Sequence, residues 1–179
     1  DPEYLRYYYA CKLTGGVEDI DLSLDDFVAR VNSELVGKLA NLASRSGPMI
    51  TKKLDGRLGT LDEEGKALIA RLQEAKGRIA AEYDSLNYAN AVREIVSLAD
   101  ACNRYFDQKQ PWVTIKTDPE GTRPVLTAVI NAVRILTIYL KPVVPVFAEK
   151  VEQFLGVGDL KLADVDAVLE NCEINKFIR

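Results

Sequence analysis

Asn41 and Arg45, one helical turn apart, are the side chains in this sequence best equipped to read the edge of a nucleic-acid base. A carboxamide carries a donor beside an acceptor, and a guanidinium carries a planar fork of donors, so each can make two bonds to one base. In a helix Gly37, Asn41 and Arg45 fall at i, i+4 and i+8 and form one polar ridge. The lone tryptophan, Trp112, follows Pro111 directly, and an indole at a surface corner is a platform on which an unpaired base can stack. Other chemistry is poorly supplied. There is no histidine, so the commonest general base and the commonest metal ligand are both missing. Cys11, Cys102 and Cys172 are odd in number and far apart, which makes neither a disulfide framework nor a CxxC metal site. Taken singly, the base-reading residues also have ordinary explanations: Trp112 as packing at a loop corner, Asn41 and Arg45 as a solvated helix face.

Two helices must position these groups. Ser23 with Asp26 three residues on is a capping signal and opens an amphipathic helix predicted over Leu24 to Ser46, ended by Gly47 and Pro48. Val28, Val31, Leu35, Leu39 and Leu42 make its buried stripe, and the polar ridge lies about 120° away from it. The second helix starts at Tyr88 and is the most apolar helical run by pattern, with Val92, Ile95, Val96, Ala99, Cys102 and Phe106 on one face. Asp107 to Gln110 is a polar break, and Pro111 disfavours helix at Gln110, so Trp112 is held at the rim of a bundle. Asn32 and Asn103 fall on core faces, and Asn103 is expected to bond the backbone leading to Trp112.

The remaining pattern is helical too. Asp1-Pro2 caps a first helix that carries three consecutive tyrosines and is expected to end near Gly15-Gly16. Thr60 with Glu63 predicts a helix over Leu61 to Tyr83. TIKTDPEGTRP reads as a loop, with Thr122 capping a helix from Arg123. Pro142 and Pro145 stop one helix and start the next, Leu160 to Leu169 is a weaker helical segment, and NCEINKFIR is a tail. No stretch alternates with period two, so the fold class is all-α, an antiparallel bundle of five or more helices.

At 179 residues, 47% apolar and 28% charged, the chain has the size and composition of a domain with a real core. No apolar run approaches the ~20 residues of a membrane span, and the first residues do not resemble a secretion signal. No membrane partner is expected, and the expected location is cytoplasmic. The net charge of −4 argues against indiscriminate nucleic-acid binding. Residues 30 to 57 reverse the sign, with six cations (Arg30, Lys38, Arg45, Lys52, Lys53, Arg57) against Glu34 and Asp55, a local excess of four. That stretch is a candidate footprint for a polyanion.

YLRYYYACKL, VNSELVGKLANLASR and SLADACNRYFDQKQPW together resemble the C-terminal anticodon-binding domain of methionyl-tRNA synthetases. LKPVVPVFAEKVEQFL is similar to the L-x-P-x-x-P-x-x-x-E signature of anticodon-binding bundles in related class I synthetases. The resemblance implies that Asn41 and Arg45 bond bases of the CAU anticodon of tRNA(Met) and that Trp112 stacks on one, with Pro111, Asn103 and Lys38 in support. Gly37 departs from the pattern: many bacterial members have asparagine there, so that contact is expected to be absent. The resemblance also implies a nucleotide-binding catalytic domain upstream of Asp1, which would use ATP and Mg; no cofactor, metal or catalytic residue is expected in this chain. On that reading residues 1–22 connect to the catalytic domain, 23–155 are the anticodon-binding bundle, and 156–179 are a C-terminal segment. Two other readings stay open: a helical protein-interaction module docking through the acidic, aromatic first helix, and the equivalent bundle of a sister synthetase for valine, isoleucine, leucine or cysteine.

Overall fold

Apolar residues recurring at helical spacing bury their faces against one another, and the computed structural model, which describes residues 1–176, is an all-α bundle. In chain order the helices are α1 Pro2–Ala10, α2 Leu24–Arg30, a π-helical stretch Val31–Ala40, α3 Asn41–Lys53, α4 Glu63–Glu74, α5 Lys76–Asp84, α6 Tyr88–Lys109, the single turn α7 Pro111–Thr114, α8 Pro119–Leu140 and α9 Pro145–Leu155. Among the described residues the one β-type pairing is an isolated bridge between Arg57 and Glu173.

The centre of the bundle is α8, not the Tyr88 helix. It packs against α3, α4, α6, α7 and α9, and from Val125 to Leu140 every residue is buried. Contrary to the expectation that no run reaches the length of a membrane span, α8 is long and apolar enough to cross one, but most of it is enclosed by the other helices, which is reason enough for an apolar surface all round. Its start also differs from expectation. Asp118 is the cap, its carboxylate accepting from the Gly121 N–H at 2.9 Å, and Pro119 supplies the fixed φ of a first helical turn. Thr122 lies inside the helix, buried, with its hydroxyl donating back to the Asp118 carbonyl.

The buried polar groups of α8 receive the chain's last stretch. Asn131 both donates to the Leu169 carbonyl and accepts from the Leu169 N–H, at 2.8 and 2.7 Å. The Arg134 guanidinium donates to the carbonyls of Asp164 and Ala167. Only Leu162–Asp166 is helical there, as a 3-10 turn, and the carbonyls at its end are bonded to the Arg134 side chain of α8. Beyond it Cys172 and Ile174 pair with Leu58 and Gly56. The last three residues of NCEINKFIR lie outside the described residues.

Helix α1 is capped by Asp1 as expected but ends at Ala10, well before the glycine pair. Its first turns grip the α8–α9 corner: the Glu3 carboxylate accepts from the N–H groups of Val146 and Phe147, and Arg6 donates to the carbonyls of Pro142 and Val143. Tyr7 and Tyr8 are fully buried in the bundle, so most of the aromatic surface that suggested an external dock is used internally. Helix α4 is capped by Asp62, whose carboxylate accepts from the Gly65 N–H at 2.7 Å, rather than by Thr60, and the predicted long helix breaks at Ala75. Helix α9 ends at Gly156 in the left-handed region, φ 67°, where glycine carries no steric penalty.

The long helix from Leu24 continues without interruption to Lys53. Gly47 and Pro48 do not end it. Gly47 is buried, α3 packs on α8, and the Ser46 and Thr51 hydroxyls on either side of the proline donate to the Leu42 and Gly47 carbonyls; packing here outweighs propensity. Lys52 and Lys53 therefore form the last helical turn, where positive charge suits the helix dipole.

Candidate functional site

The three principal residues sit on α3 and on the α6–α7 corner. Gln110 takes a left-handed conformation, φ 46°, and Pro111 begins α7, so the chain turns sharply after α6. Pro111 is buried and anchors the corner; Trp112 is half-buried, with its ring centroid 5.5 Å from that of Phe106. Arg45 reaches this pair from α3. Its guanidinium carbon lies 4.5 Å from the Phe106 centroid and 5.0 Å from the Trp112 centroid. One of its amino groups stands 3.5 Å from an Asp107 carboxylate oxygen. Arg45 and Trp112, 67 positions apart in the sequence, are thus a single cluster.

Asn41 is half-buried in the first turn of α3, one turn before Arg45. Among the described residues its carboxamide has no hydrogen-bond partner, so both its donor and its acceptor are open to a ligand. Lys38 is not free: its ammonium lies 2.9 Å from the Asp100 carboxylate of α6. Asn103 does not bond the backbone leading to Trp112. It donates to the Lys38 carbonyl at 3.1 Å and to Ala99 at 2.8 Å, tying α6 to the long helix just ahead of Asn41. Asn32, expected on a core face, is exposed.

The local excess of positive charge is largely compensated by tertiary partners. Arg30 faces Asp26 and Glu34, Lys38 faces Asp100, Arg45 faces Asp107, and Arg57 faces Glu173. Lys52 and Lys53 remain exposed without an ion-pair partner among the described residues. The residues that sequence reasoning missed are Asp100, which it did not single out, Asp107, read as part of a polar break, and Phe106, read only as core. Their roles depend on Arg45 and Lys38 arriving from another helix, which spacing along α6 does not reveal. Among the described residues no group of three or more metal-ligating side chains gathers.

A polar ridge ending against an aromatic corner on an all-α bundle can bond and stack unpaired bases. The family model described as the anticodon binding domain of methionyl tRNA ligase matches residues 56–176. The chain belongs to this family. A second family model, tRNA synthetases class I (M), matches residues 1–47, which include α1, Asn41 and Arg45. The methionine–tRNA ligase of Bdellovibrio bacteriovorus is 52% identical over 177 residues, and that of Chromobacterium violaceum 47% identical over 179, each covering 99% of this chain. The chain spans about a quarter of those relatives, 26% of each. Among solved structures, the free-state methionyl-tRNA synthetase of Mycobacterium tuberculosis superposes with a TM-score of 0.89 at 28% identity, over 99% of this chain and 37% of that one. The same enzyme bound by methionyl-adenylate gives 0.88. This member of the anticodon-binding family therefore keeps the fold of its relatives, with Asn41, Arg45 and Trp112 gathered on it.

Proposed function

We propose that this chain is the tRNA-selecting part of a cytoplasmic methionyl-tRNA synthetase and that it recognises the CAU anticodon of tRNA(Met). Asn41 and Arg45 bond base edges and Trp112 stacks on a base, with Pro111 setting the corner, Lys38 paired to Asp100 of α6, and Asn103 bracing the ridge from α6. The observation that carries the reading is the unpartnered Asn41 carboxamide one turn from a guanidinium laid against Phe106 and Trp112. Anticodon loops are single-stranded, so their bases can be splayed out and stacked on such a corner.

On this reading residues 1–22 lead from an upstream catalytic domain, 23–155 bind the anticodon, and 156–179 are a C-terminal helical segment and tail. ATP-dependent attachment of methionine, with magnesium, belongs to the upstream domain. On this reading the chain alone is expected to give no methionine-dependent ATP–pyrophosphate exchange.

The test is a titration of the 179-residue chain with two anticodon stem-loops, one carrying CAU and one carrying another anticodon. Tighter binding of the CAU loop, weakening as salt rises, is expected. Equal affinity for the two loops overturns the reading.

A further inference from the structure

Directly ahead of Asn41 lies a ten-residue run of i→i+5 bonding, Val31–Ala40, a geometry that is rare and usually confined to a single turn. Val31, Leu35 and Leu39 are all buried within it. Val28, which precedes the run and was expected on the same stripe, is 53% exposed. The Asn41 N–H still donates to Val36, five residues back, so Asn41 stands at the junction where α-helical bonding resumes.

Gly37 sits within this run, and it is the residue that departs from the family pattern. A Cβ placed on it would lie 2.9 Å from the Asn32 carbonyl oxygen. That oxygen belongs to the helix backbone five residues earlier and cannot swing aside as a side chain could. Helix α6 holds the run in place: Asn103 donates to the Lys38 carbonyl and Asp100 pairs with Lys38, both within one turn of the junction.

We infer that Gly37 is a positioning residue: by leaving space at the Asn32 carbonyl it permits the π-helical register that aims Asn41 and Arg45 at the base-reading corner. Its RNA readout rests on the proposed function above, whereas its spectroscopic readout does not. A side chain at position 37 drives the segment toward α-helical bonding and rotates everything that follows about the helix axis, so Arg45 leaves the indole.

The experiment compares Gly37→Ala with Gly77→Ala in the 179-residue chain. A methyl group at Gly77, exposed in α5, would meet nothing within 4 Å, so that position takes the same gain in helix propensity without a clash. Trp112 is the lone indole, and its emission reports the approach of the Arg45 guanidinium. Gly37→Ala is expected to shift that emission and to weaken CAU stem-loop binding by the folded fraction about tenfold, the scale of one lost bidentate contact. Gly77→Ala should leave emission and affinity at parent values. Unchanged emission and affinity in Gly37→Ala overturn the inference. If Gly37→Ala does not fold, Asn103→Ala, which releases the Lys38 carbonyl, must show the same emission shift and lost discrimination, and parent values there overturn it equally. A shifted emission in Gly37→Ala, in a chain whose parent ignores anticodon identity, supports the positioning role and sinks the anticodon reading instead.

Discussion

Arg45 is held from two sides, by the rings of Phe106 and Trp112 and by Asp107, and the two holds differ in strength. The Asp107 pair is open to water, with side chains 35% and 61% exposed, and such pairs contribute about 0 to 1 kcal/mol and fade with salt. Contacts of a guanidinium with aromatic faces give roughly 0.5 to 2 kcal/mol and depend less on ionic strength. The rings therefore set where Arg45 lies. Arg45→Lys keeps the charge and loses the planar fork. It should cost about 1 to 3 kcal/mol of discrimination between the CAU loop and another loop; parent discrimination in a stem-loop titration would make Arg45 mere surface charge. Trp112→Ala separates binding from packing. Half-buried against Phe106, it should cost less stability than the about 3 to 5 kcal/mol of a core aromatic, while stem-loop binding falls by about 1 to 3 kcal/mol. Trp112→Phe should recover part of the binding. A large drop in melting temperature with unchanged affinity of the folded fraction would remove Trp112 from the site.

Among the elements, α8 and α1 are defined by their end groups. Asp118→Ala removes the cap of α8 and should cost about 1 kcal/mol in urea unfolding, with faster exchange of the Gly121 amide, whose partner is the lost carboxylate. No change would mean that the helix starts elsewhere. The α1 clamp is a charge-assisted case: Glu3 is buried and accepts from two free N–H groups at the start of α9. Glu3→Gln keeps the shape but removes the charge, and should cost about 1.5 to 3 kcal/mol, as for hydrogen bonds to ionised groups. Hydrogen exchange at Val146 and Phe147 should rise while exchange in α4 stays as it was. If these two amides keep their protection, the clamp does not hold the corner.

For the whole molecule, stability follows the buried acids that resist ionisation. Burial pushes the hydroxyls of Tyr7, Tyr83, Tyr105 and Tyr139 above their ordinary 10.0, and it pushes the thiols of Cys11 and Cys102 from 9.0 up to about 11 and about 12. All are raised, so their contribution is complete below the unfolded values and is lost as pH climbs toward the folded ones: above about pH 9 the unfolded chain sheds protons that the folded chain keeps. The urea midpoint should thus fall steadily between about pH 9 and 11, and a constant midpoint over that range would contradict the burial of these groups. Between about pH 6 and 8 the chain has no histidine to titrate, and both the midpoint and stem-loop affinity should stay level.

Helical periodicity alone was enough for the all-α class, for the buried face of α6 and for the caps at Asp1 and Ser23, because these depend on neighbours within a few residues along the chain. Proline after a polar break was likewise enough to put Trp112 at a corner, since the restriction is local. What spacing could not decide were outcomes between remote segments: Gly47-Pro48 inside a helix because α3 packs on α8, Asp118 rather than Thr122 at the start of α8, and Asn103 bonded to Lys38. The candidate site shows the same division. Asn41, Arg45 and Trp112 were legible as residue types at telling positions, yet the contact of Arg45 with Phe106, Trp112 and Asp107 required two helices to meet. The π turns that aim Asn41 were not legible either, because a fixed step of about 100° assumes the very bonding pattern that packing against α6 and the core replaces.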